Sequence, residues 1–119
     1  MEFAILFYID ESTFQGFTEA DHQRLQEVCR DEDTELERQG KLLVARALDA
    51  PARAVTVSVR QSKLTRTDGP FAETKEHLGG FIIVRAESME EAVAIAQACE
   101  LARHGKVEVR PAYDIRAAP

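Results

Sequence analysis

The chain has 119 residues, 45% of them apolar and 30% charged, with a formal net charge of −6, which describes one globular domain with a modest core. Its 15 Lys and Arg are scattered rather than clustered, so a nucleic-acid partner is not expected. No apolar run approaches the roughly 18 residues of a membrane span, and Phe3–Ile9 is too short, and too poor in a basic lead, to be a signal sequence. No membrane association and a cytoplasmic location are therefore expected. Cys29 and Cys99 form no CxxC and have no histidine at metal spacing, so they read as small buried hydrophobes in a reducing compartment.

In chain order, Phe3-Ala4-Ile5-Leu6-Phe7-Tyr8-Ile9 is a continuous apolar run stopped by Asp10-Glu11, the pattern of a central strand buried on both faces. Thr18 followed by Glu19, Ala20 and Asp21 approximates a capping box and predicts a helix from Thr18 to about Gln39. Its stripe is Leu25, Val28, Cys29 and Leu36, and Arg38-Gln39-Gly40 supplies the ending. The acids of this segment, from Glu19 to Glu37, read as a solvated face, with docking to a basic partner as the alternative.

Leu42–Ala45 is a short strand, and Asp49-Ala50-Pro51 breaks the chain. From Ala54 the pattern alternates strictly, Val55, Val57 and Val59 against Thr56, Ser58 and Arg60: a strand with one apolar face. A turn at Gln61-Ser62-Lys63 returns the chain through Leu64–Thr67. Phe81–Val84 is the next all-apolar strand. Ser88-x-x-Glu91 opens a second helix with Met89, Ala92, Val93 and Ala96 as its stripe, ending near Cys99. Val107 and Val109 alternate with Glu108 and Arg110 in a last strand closed by Pro111, and the tail Arg116–Pro119 is expected to be loose.

Two strand–helix–strand units around one antiparallel sheet describe a ferredoxin-like α+β sandwich, a single domain over 1–119. Two helices cover one sheet face only, while Phe3–Ile9 and Phe81–Val84 call for cover on both. A homodimer whose sheets pack face to face around a cavity, a dimeric α/β barrel, satisfies that demand.

The segment Asp68-Gly69-Pro70-Phe71-Ala72-Glu73-Thr74-Lys75-Glu76, closed by Gly79-Gly80-Phe81, carries more than a hairpin connection needs. Asp68-Gly69-Pro70 is turn chemistry, and Asp68 either aims the strands or presents a carboxylate as general base. Phe71 plugs the end of the sheet or forms a wall for a ligand. Exposed charge pairs are worth about 0–1 kcal/mol, too little to explain Glu73, Lys75 and Glu76 as stability alone. Glu73 and Lys75 share a face if the segment is extended. Glu73, Glu76 and His77 cluster if it is one helical turn, although two ligands without a third make a poor metal site. Gly79-Gly80 permits close backbone approach or a bulge. Arg110 and Arg60, if both point inward, favour a carboxylate or other small anion as ligand. No catalytic Ser-His-Asp pattern, phosphate loop or dinucleotide fingerprint is present, and no cofactor is expected.

The signature, the apolar aromatic first strand, Met89-Glu90-Glu91-Ala92 and Glu108-Val109-Arg110-Pro111 together resemble the DGPF family within the YciI-related group over nearly the whole chain. The resemblance implies the same dimeric barrel, small-molecule chemistry, and occurrence in bacteria beside genes for extracytoplasmic-function sigma factors. The wider group is associated with a histidine in the first helix and an aspartate near the end of the second. Here His22 lies in the first, but the second reads Ala98-Cys99-Glu100-Leu101, leaving a His22–Glu100 pair or an ordinary surface histidine. Two functions follow. In one, the dimer binds a small anion and performs lyase- or isomerase-like proton transfer, with Asp68 as base, Arg60 and Arg110 stabilising charge, and Phe71, Glu73 and Lys75 around the ligand. In the other, the domain is a regulatory module acting with a sigma factor through its acidic helix.

Overall fold

The computed structural model describes residues 1–117. It contains β1 (Glu2–Asp10), α1 (Glu19–Arg38), β2 (Leu42–Ala47), β3 (Val55–Arg60), β4 (Lys63–Asp68), β5 (Glu76–Arg85), α2 (Met89–Ala98) and β6 (Lys106–Ala112). Four strands form one antiparallel sheet in the order β2-β5-β1-β6, and β3 and β4 form a separate two-stranded sheet. The result is an α+β fold of two helices on an antiparallel sheet.

Local signals set the helix ends. The Thr18 hydroxyl accepts from the Asp21 N–H at 3.1 Å and the Asp21 carboxylate accepts from the Thr18 N–H at 2.9 Å, the reciprocal capping box. At the other end the Gly40 N–H donates to Glu37 O and the Lys41 N–H to Leu36 O, both at 2.9 Å, a Schellman ending. Ser88 caps α2 by accepting from the Glu91 N–H at 3.2 Å, while Glu91 reaches back to the Glu87 N–H at 2.9 Å, one residue before the cap.

The core lies between the sheet and the helices. Phe3, Ile5 and Val84 are fully shielded, joined by Phe7, Ile82, Ala92, Ala96 and Cys99; each large apolar side chain so buried contributes roughly 1.5–3 kcal/mol. Register carries this face across the strands: Phe3 pairs with Val84, Ile5 with Ile82 and with Val109. Ala4, Leu6 and Tyr8 point the other way and are only half-buried, so the first strand is covered on one face. On that uncovered face Leu6 lies beside Phe81, Phe81 beside Arg46, and Ala4 between Ile83 and Arg110. Among the described residues no second layer covers it, and the molecule is 19 Å thick along its shortest axis.

Two departures from the sequence expectations concern β3, β4 and β5. The hairpin does not extend the main sheet but stands apart as a ribbon, with every residue except Thr56 exposed. Meanwhile β5 begins at Glu76, five residues before its apolar run, because charged Glu76 and His77 pair with Asp10 and Ile9 of β1. Both readings of Gly79-Gly80 are realised. The register with β1 shifts by one residue at Gly79, and a Cβ on Gly80 would sit 2.8 Å from the Arg46 carbonyl oxygen of β2. In the tail, Ile115–Ala117 coil into a 3-10 turn, whereas Ala118 and Pro119 lie outside the described residues.

Candidate functional site

The signature begins where the hairpin ends. Gly69 adopts φ +97°, a conformation other residues rarely take, and its N–H donates to Ala54 O at 2.7 Å while its carbonyl accepts from the Thr56 hydroxyl at 2.8 Å. These bonds lock Asp68-Gly69-Pro70 to the base of the ribbon. The chain then runs exposed through 71–75 and enters β5, with the Thr74 hydroxyl donating to Glu76 O at 2.5 Å.

This path, the Leu48–Ala54 connection and the end of the uncovered sheet face enclose a cleft of about 650 Å³. Leu48, Pro51, Pro70, Phe71 and Leu78 supply apolar walls, and Tyr8, Arg53, Thr74, Glu76 and His77 supply polar groups. Arg53 is held by Asp49 at 3.1 Å, and Glu76 by Lys106 at 2.8 Å, a bridge from β5 to β6. Apolar walls with a few convergent polar groups are the make-up of a small-molecule site. Phenol, imidazole, carboxylate and guanidinium together can accept and donate protons and stabilise an anion.

Of the six residues singled out from sequence, Phe71 lines this cleft. It is 89% exposed, so it is not a plug packed against the sheet. Asp68 closes β4 opposite Val55, outside the lining. Glu73 and Lys75 are exposed beside the cleft; the charge of Lys75 helps to hold the Asp10 carboxyl below its usual range, behind the larger effect of hydrogen bonding to Ser12. Arg60 sits at the far end of the ribbon opposite Lys63, and Arg110 lies on the uncovered sheet face, 3.7 Å from Glu108. The two arginines are therefore not brought together. The segment 71–75 contains no helix, so the Glu73–His77 cluster does not form, and no group of three metal-ligating side chains occurs among the described residues. Tyr8 and Arg53 were missed by sequence reasoning. Tyr8 was hidden inside an apolar run, and Arg53 in a connection with no periodic signal.

A second groove, of about 480 Å³, opens on the helix side and is lined by Phe17, Asp21, Arg24, Glu100 and His104 among others. Its charges are already partnered: Arg24 with Asp21 and His104 with Glu100, each at 3.4 Å. His22 is exposed and stacks near Phe17 with ring centroids 5.3 Å apart, so Glu100 serves His104 rather than His22. Beneath it, the Glu100 N–H donates to Glu32 at 2.9 Å. Burial is the leading cause that raises the Glu32 and Asp33 carboxyls, and it pushes the thiols of Cys29 and Cys99 up to about 11 and about 12. Protonated thiols at neutral pH are packing groups rather than nucleophiles.

Two helices laid on one face of an antiparallel sheet, with a mixed polar and apolar cleft at its exposed end, define a small α+β protein built around a pocket. The chain matches the YCII-related domain over residues 1–116 and belongs to that family. It is 32% identical over 113 residues to an uncharacterized protein of Rhizobium meliloti (strain 1021), the match covering 93% of this chain and 91% of that protein. Its fold resembles that of 5-chloro-2-hydroxyhydroquinone dehydrochlorinase from Burkholderia phenoliruptrix AC1100, solved in complex with 2,5-dihydroxybenzoquinone. That likeness has a TM-score of 0.55 at 15% identity and covers 98% of this chain and 97% of the other.

Proposed function

We propose that the protein binds a small hydroxylated, anionic organic molecule in the signature cleft and catalyses proton transfer on it without a cofactor. The observation that carries this reading is the meeting of the family signature with Tyr8 and His77 in one cleft. Histidine exchanges protons near neutral pH, and here His77 is the proton acceptor in place of Asp68. The Tyr8 phenol and the Arg53 guanidinium are the groups that meet developing negative charge. In an elimination of this class His77 takes the proton, the freed electron pair forms the new π bond, and the leaving anion departs. The structural likeness to a dehydrochlorinase makes hydroxylated quinones and their chlorinated hydroquinone precursors the first ligands to try.

A ferredoxin-like protomer with one bare face fits a face-to-face dimer, the dimeric barrel, in which a second copy closes the cleft. The alternative, docking of the acidic α1 on a regulatory partner, has less support. Glu35 is tied to Arg38 and Gln39, Asp21 to the Thr18 cap, and Glu32 to Glu100, so much of the acid serves the helix itself.

The test is titration of the protein with 2,5-dihydroxybenzoquinone, followed by absorbance and calorimetry. Saturable binding is expected, weakened about 5- to 30-fold in Phe71→Ala, the loss of roughly 1–2 kcal/mol that removing a wall aromatic carries. In His77→Ala binding persists, while chloride release from 5-chloro-2-hydroxyhydroquinone is lost. Saturable binding that Phe71→Ala leaves unchanged, or no binding at all, would overturn the assignment.

A further inference from the structure

The β3–β4 ribbon is the least explained part of the molecule. Gln61 and Ser62 at its tip have φ of 51° and 66°, the left-handed pair of a tight hairpin turn, so the ribbon is built as a defined element. Yet an isolated two-stranded hairpin is at best marginally stable in water. Val55, Val57 and Val59 alternate onto one face, where register sets Leu64 opposite Val59. Their exposures are 47%, 64%, 66% and 65%. A contiguous apolar stripe of this kind on a projecting arm marks an interaction surface.

Charge indicates what the surface meets. Between Val55 and Asp68 the ribbon carries Arg60, Lys63 and Arg66 against the single acid Asp68, a balance of +2, so the rest of a chain whose total is −6 carries −8. A cationic arm on an anionic body is complementary to another copy of that body. The body also offers what the stripe needs, an uncovered sheet face with Leu6, Phe81 and Ile83 at its centre, whose edge acids Glu76 and Glu108 are paired with Lys106 and Arg110.

We propose that the β3–β4 ribbon is a clasping arm whose valine stripe docks on a second copy of this chain, and that the arm exchange closes the signature cleft. The proposal rests on the cleft being the ligand site, because the same residues anchor both. Gly69 ties the arm to Ala54, and Ala54, Pro70 and Phe71 line the cleft at the arm's base. A partner gripped by the arm lies over the open side of that cleft, beside Tyr8 and Leu78, so the site is complete only in the pair.

Two variants test this by sedimentation velocity at micromolar concentration. Val57→Asp with Val59→Asp puts carboxylates into the stripe. Deletion of 55–68, joining Ala54 to Gly69, removes the arm between two residues already hydrogen-bonded. Because the arm's side chains are exposed, both variants keep the helical and sheet signal of the body. Wild type is expected to be a dimer, and both variants monomers, with the dimer dissociation constant raised about 100-fold or more by loss of paired apolar contacts. Their affinity for 2,5-dihydroxybenzoquinone falls with dimerisation. Variants that remain dimeric overturn the arm's role even if wild type binds the quinone. A monomeric wild type overturns it too, and leaves the arm to a different chain. A wild-type dimer that the variants dissociate but that binds no quinone sustains the arm and sinks the ligand assignment alone.

Discussion

His77 shows how little a residue's own neighbourhood in sequence says of its place in the fold. It follows Lys75-Glu76 in a charged stretch, where the sequence set it beside Glu73 and Glu76 only on a helical turn, and pairing with Ile9 shows that it belongs to a strand bordering a cleft. Phe71 was singled out as either a plug or a wall, and the fold leaves it exposed at the cleft. Tyr8 was not singled out, since six apolar neighbours disguise its hydroxyl. The cysteines behave as their composition suggested, Cys99 buried and Cys29 half-buried, and they carry a pH prediction. Their thiols ordinarily ionise near 9, whereas burial raises them to about 11 and about 12 in the folded chain. The unfolded chain therefore loses these protons first, so stability is intact below pH 9 and falls as pH rises from there through the folded values. Urea midpoints measured between pH 8 and 10.5 should drop more steeply for wild type than for Cys99→Ala; parallel profiles would refute the buried, protonated thiol.

Elements with self-contained signals were read correctly, and those defined by distant partners were not. The start of α1 follows from four residues and a reciprocal pair of hydrogen bonds. Thr18→Ala should accordingly cost about 1 kcal/mol in chemical denaturation, within a range of roughly 0.5–2, and an unchanged midpoint would show that the cap is idle. The alternation of Val107 and Val109 left open which way Arg110 points, and the register sets it beside Ala4 on the uncovered face. In contrast, the alternation of β3 was legible as a strand but not as a strand outside the main sheet. Its apolar side lies largely exposed, so pattern alone pointed to a core that is not there. Arg60 was misplaced for the same reason, since a ribbon that leaves the sheet carries its polar face away from any shared cavity.

At the scale of the whole molecule, a radius of gyration of 16.4 Å exceeds the roughly 13.5 Å typical of a compact chain this long. The excess goes with the projecting ribbon and the single-sided sheet. No helix among the described residues is long and apolar enough to cross a membrane. The order of strands and helices, and the bare sheet face, were available from the sequence. The cleft was not, because it arises from three segments, at Tyr8, at 48–54 and at 70–78, that only the tertiary fold brings together. Its role as the ligand site is tested most directly by a chemical-shift map of the wild-type protein titrated with 2,5-dihydroxybenzoquinone. Backbone signals of Tyr8, Arg53, Phe71, His77 and Leu78 should move in proportion to saturation. Shifts confined instead to Phe17, Asp21, Arg24 and His104 would place binding in the helix-side groove and contradict the assignment.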